Sequence, residues 1–133
     1  MNPIIAKLVV CLSILLSNLS YSADQNPCDD QNGGSRTEGP CMAYKLALEN
    51  QKLNQVIKAA QTRASEENEY LYADVVNLLK KSQEAWLLHR AAHCEFEGLS
   101  RGASGGWSQW HIDNCALQMT LERIKYLNAV FYG

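Results

Sequence analysis

Apolar side chains return every three or four residues along most of this chain and never on strict alternate positions. That pattern predicts helices and no strands. Between Cys41 and Arg63, Met42, Leu46, Leu53, Ile57 and Ala60 share one helical face, while Lys45, Glu49, Lys52 and Lys58 fall elsewhere. Pro40 stands at the predicted first position, where a missing N–H costs nothing. "ASEENE" then predicts a break and a new start, with Ser65 as cap and Glu66, Glu67 and Glu69 at the positive end of the helix dipole. The second helix is predicted to run to Phe96, its stripe formed by Tyr72, Val75, Val76, Leu79, Gln83, Trp86, Arg90 and Cys94. "EGLSRGASGGWS" has four glycines and predicts a loop. Ser108 is the predicted cap of a third helix carrying Ile112, Cys115, Met119, Ile124, Leu127, Val130 and Phe131. Three amphipathic helices on short connections predict an all-α, up-down-up three-helix bundle. Such a bundle gathers Cys41, Cys94 and Cys115 at one pole.

The N-terminus alters how much of the chain is counted as fold. "MNPIIAK" supplies a basic n-region, "LVVCLSILL" an apolar run too short to span a bilayer, and "SNLSYS" places Ser20 and Ser22 at −3 and −1 of a cut before Ala23. Residues 1–22 are therefore expected to be a signal peptide, which predicts a periplasmic or secreted protein without stable membrane insertion. The remaining 111 residues divide into an irregular arm, 23–40, and a single helical domain, 41–133. Loss of Lys7 takes the 12 basic residues to 11 against 14 acidic ones, a formal charge of −3. No basic patch suggests nucleic acid, and the mild acidity favours a cationic partner. Cys28, Cys41, Cys94 and Cys115 predict two disulfides in an exported chain. Cys28–Cys41 with Cys94–Cys115 is the favoured pairing, and Cys28–Cys94 with Cys41–Cys115 the alternative.

Candidate chemistry concentrates near the cysteines. Arg90 on a buried stripe requires a partner: Glu122, Asp113, Glu49 or carbonyls of the glycine loop. With such a partner, Gln83 and Arg90 would fix helix register by hydrogen bonds. His89 with His93, and His111 with Cys115, are i, i+4 pairs that zinc could use. Cys115, however, has Cys94 as an oxidised partner, and both histidines of the second helix lie off the core stripe, so no metal or cofactor is expected. Ser100, Ser104 and Ser108 lack the strand-to-helix elbow of a nucleophilic serine, and an enzyme is not expected. The 97–111 loop is the expected partner-binding surface through Arg101, Trp107, Trp110 and His111, with Trp110 packed and Trp107 exposed.

Three blocks together carry a resemblance. Leu53–Asn54, the series Gln83, Trp86, Arg90, Cys94, and the series Cys115, Thr120, Arg123, Leu127 resemble the LprI-type lysozyme inhibitor family across roughly 41–128. The resemblance implies a small exported helical domain that inhibits lysozyme or another peptidoglycan hydrolase without being an enzyme. It also implies an aspartate directly after the arginine, where this chain has Ala91, which leaves Glu122 as the expected acid for Arg90. The alternative function is an envelope interaction protein or an immunity protein against a secreted toxin.

Overall fold

The computed structural model describes residues 26–29, 32–67 and 72–132, so the expected signal peptide lies outside the described residues. Three helices follow one another: α1 (Ser35–Glu67), α2 (Tyr72–Ser100) and α3 (Gly106–Tyr132). No strand occurs among the described residues. The all-α, three-helix reading holds, as does the favoured cysteine pairing: Cys28–Cys41 and Cys94–Cys115 are both bonded.

The helix boundaries differ from expectation. α1 starts at Ser35, so the stretch expected to be irregular is helical from that residue on. Gly34, at φ 90°, makes the turn into the helix, and its carbonyl accepts from Glu38 N at 2.9 Å and Thr37 Oγ1 at 3.1 Å. Pro40 is consequently the sixth helical residue rather than the first. It removes the bond its position would donate to Arg36, while Gly39 before it has no Cβ to collide with the proline ring. Ser65 is no cap: it lies in the last turn of α1, where its hydroxyl donates to the Thr62 carbonyl.

α2 continues four residues beyond Phe96, and α3 begins two residues before Ser108. The expected 97–111 loop is therefore a junction of five residues, 101–105, flanked by helix on both sides. Gly102 (φ 66°) and Gly105 (φ 60°) supply the left-handed turns it needs. Ser108 Oγ donates to the Ala103 carbonyl at 2.6 Å and pins the junction to the first turn of α3.

Two close approaches set the packing at this pole. A Cβ on Gly98 would fall 2.3 Å from Ile112 Cγ1 and 3.2 Å from the Ser108 carbonyl, so α2 and α3 meet where only glycine fits. A Cβ on Gly106 would come 3.0 Å from Ser35 Cβ, which places the starts of α1 and α3 together. These two helices thus run parallel with α2 antiparallel to them, and α1 against α3 is the most extensive interface. The interior divides into two apolar clusters. Cys94, Cys115 and Ala116 form one with Leu46, Ile112 and Met119. Leu53, Ala60, Leu79, Ile124 and Leu127 form the other. A polar layer separates them.

Candidate functional site

The polar layer is built on α2 by Gln83, Trp86 and Arg90, which the 3.6-residue repeat keeps on one stripe. Arg90 NH1 donates across to both other helices, to Asn50 Oδ1 of α1 at 2.8 Å and to Thr120 Oγ1 of α3 at 2.6 Å. Thr120 is fully buried, and its hydroxyl in turn donates a hydrogen bond to the Ala116 carbonyl at 2.7 Å. From α3, Arg123 Nε donates to Gln83 Oε1 at 3.2 Å and its NH2 to Ser82 Oγ at 2.9 Å. Trp86 lies between the two guanidinium groups, 4.9 Å from Arg90 and 5.7 Å from Arg123. Both cations face a π surface instead of a carboxylate.

Among the described residues no acid reaches Arg90, which corrects the expectation of Glu122, Asp113 or Glu49. Glu122 is exposed, Asp113 accepts from Gln109 Nε2, and Glu49 faces Lys52 Nζ at 3.5 Å. Burial without a compensating anion pulls the Arg90 guanidinium below its ordinary pKa, and burial does the same to Arg123. The layer is held by charge-assisted hydrogen bonds to neutral oxygens and by ring stacking. It ties three helices into one register.

The second cluster sits at the α2–α3 junction. Glu97, in the last turn of α2, pairs with Arg101 just past the helix end. His93 Nε2 stands 3.7 Å from the same carboxyl group. The Arg101 hydrogen bond first, then the charges of Arg101, His93 and His111, hold the Glu97 carboxyl below the usual glutamate range. On α3, Trp107 and Trp110 meet edge-to-face at 6.0 Å, and Trp110 meets His111 the same way at 5.1 Å. Trp107 is 42% exposed, while Trp110 is half-buried with its Nε1 shielded and without an acceptor.

His93, Glu97 and Cys115 approach one another closely enough to suggest a metal site. The Cys115 sulfur is bonded to Cys94 and offers no thiolate, and His89 stacks on His93 instead of joining the cluster. The histidine pairs do not assemble four ligands.

A three-helix domain, two disulfides and a Gln-Trp-Arg-Cys stripe bonded to Thr120 are now in place. The family model described as Lysozyme inhibitor LprI matches residues 28–127. The chain belongs to the LprI lysozyme inhibitor family. No curated protein and no solved structure matches. LprI membership points to lysozyme binding and inhibition, in a family that is normally non-enzymatic. Together with two disulfides it is consistent with an exported protein. No described helix is long and apolar enough to cross a membrane.

Most of the motif residues that carried the LprI resemblance meet in the structure. Gln83, Trp86, Arg90, Thr120 and Arg123 make the polar layer, while Leu53 and Leu127 floor it from the apolar cluster beneath. Asn54 does not join them: it is exposed, and Asn50, one turn earlier, does the bonding. Asn50 was readable in principle, because it lies between Leu46 and Leu53 on the buried stripe of α1. The departure at Ala91 also loses its force. Position 91 is exposed, turned away from the layer that Arg90 enters.

Proposed function

We propose that this LprI-family chain inhibits a lysozyme or a related peptidoglycan hydrolase through the α2–α3 junction, with Arg101, Trp107 and His111 docking at the enzyme cleft. Trp110 backs this surface from its half-buried position. The observation that carries the reading is the exposed Trp107 ring on the first turn of α3, beside a junction tied down by Cys94–Cys115 and the Glu97–Arg101 pair. A preorganised aromatic anchor next to a cation loses little freedom on binding. Glycosidase clefts combine sugar subsites, which a tryptophan ring can fill, with two carboxyl groups, which a guanidinium or imidazolium can approach. Arg101 is 53% exposed and, among the described residues, bonded to the surface carboxylate of Glu97, which it can exchange for an acid of the enzyme. The chain's net negative charge favours encounter with cationic lysozymes.

The test is a turbidity assay of muramidase action on cell walls with purified protein and several lysozymes. Trp107→Ala and Arg101→Ala are each expected to weaken inhibition at least about tenfold. Inhibition unaffected by both would remove the junction as the binding surface. No inhibition of any muramidase would remove the function.

A further inference from the structure

The stripe of α2 that carries Gln83, Arg90 and Cys94 faces the other two helices, so the outer side should be polar throughout. It is interrupted by large apolar residues. Leu78, Leu88, Phe96 and Leu99 are 63, 75, 73 and 58% exposed. With Ala85 and Ala92 they recur at heptad-like steps along about 32 Å of helix: Leu88 and Leu99 lie opposite the polar layer, while Leu78 and Phe96 sit on the flank, Leu78 lining the α2–α3 groove with Tyr126. An apolar ridge of this length on the outside of a helix calls for a partner.

The composition of the ridge says which partner. Lys81 and Glu95 are the two charges in line with it, seven residues on either side of Leu88. Both are exposed, and neither makes an ion pair among the described residues. If two copies of α2 pack antiparallel about an axis near Leu88, Lys81 of each copy comes within one turn of Glu95 of the other, twice by symmetry. Parallel packing would instead oppose Lys81 to Lys81 and Glu95 to Glu95. Ala85 and Ala92, one heptad apart, leave the centre open enough for Leu88 of one copy to seat between them on the other. A surface complementary to itself under a two-fold rotation is what an isologous dimer requires.

We infer that the outer face of α2 is a homodimer interface, with two copies packing antiparallel about a two-fold axis near Leu88. The disulfide-held junctions then lie at opposite ends of the paired helices, and the dimer presents two Trp107 surfaces pointing apart.

Sedimentation equilibrium of the disulfide-bonded protein from about 1 to 100 µM tests this, with far-UV circular dichroism to verify that each variant is folded. A dimer is expected for the unaltered chain. Leu88→Glu should give a monomer of unchanged helicity. Lys81→Glu and Glu95→Lys should each raise the dissociation constant about tenfold or more, and the two together should restore it. A monomer throughout the range would overturn the proposal, as would association that survives Leu88→Glu. Single reversals without effect, or a double reversal that fails to restore the dimer, would overturn the antiparallel arrangement.

Discussion

Arg90 and Thr120 face each other at 2.6 Å across the α2–α3 interface, a buried hydroxyl accepting from a guanidinium that no carboxylate neutralises. The same nitrogen also reaches Asn50 on α1, so a single side chain bonds all three helices.

Arg90→Ala removes both bonds and one face of the stack on Trp86. Because the residue is partly exposed, the expected loss is about 2 kcal/mol, below the sum of two fully buried charge-assisted bonds. Arg90→Lys should recover only part, since an ammonium can reach two acceptors but lacks the broad, weakly hydrated guanidinium that packs over indole. Thermal denaturation of the two variants checks the ranking. Equal melting temperatures for Arg90→Lys and the unaltered protein would show that charge alone suffices.

Gly98→Ala places a methyl group against Ile112 and within reach of the α3 backbone. Isoleucine can turn aside, but the backbone atoms of Ile112 and Ser108 cannot. The expected cost is about 1–3 kcal/mol, although alanine favours helix intrinsically. Ile112→Ala in the same chain removes the Cγ1 that is struck and should make the Gly98→Ala cost smaller, and urea denaturation of the single and double variants measures the coupling.

The Glu97 carboxyl, held low by Arg101 and then by the histidine charges, contributes stability that is present above the ordinary glutamate pKa and lost as pH falls through its depressed value. Acidification should therefore loosen the end of α2 in the region below about pH 4. Carbon-detected NMR titration should find Glu97 below the ordinary glutamate range. Arg101→Ala should bring it back towards that range, and added salt should shrink the depression.

Cys94 and Cys115 close 21 residues of sequence that include the whole junction. Replacing both by alanine should cost about 3 kcal/mol in the chain-entropy view. Inhibition should fall further than stability does, because Trp107 loses its fixed platform. Inhibition measured at a temperature where the variant remains folded separates the two effects.

The interior of each helix and the pairing of the cysteines were legible in the sequence because burial and periodicity act locally. The ends were not. Pro40 reads as a first helical residue, yet Gly34 supplies a turn with positive φ and Gly39 relieves the ring clash, so α1 starts earlier. The glycines of 98–106 read as one loop, but Gly98 serves helix contact and only 101–105 turn the chain. The partner of Arg90 is not legible, because a cation on a buried stripe reads as demanding an anion, whereas a part-buried guanidinium over Trp86 is satisfied by an amide and a hydroxyl. Asn50 is hidden because a polar residue on an apolar stripe reads as an interruption.

Neither disulfide reaches from α1 to the rest of the bundle: Cys28–Cys41 loops back on α1 itself, and Cys94–Cys115 joins α2 to α3. The first helix is thus moored to a cross-linked hairpin by main chain and by contact alone. A single cut between Glu67 and Tyr72 would turn the molecule into two separable pieces. Their affinity for each other would give a direct reading of what the Asn50–Arg90 bond and the Leu53 contacts are worth.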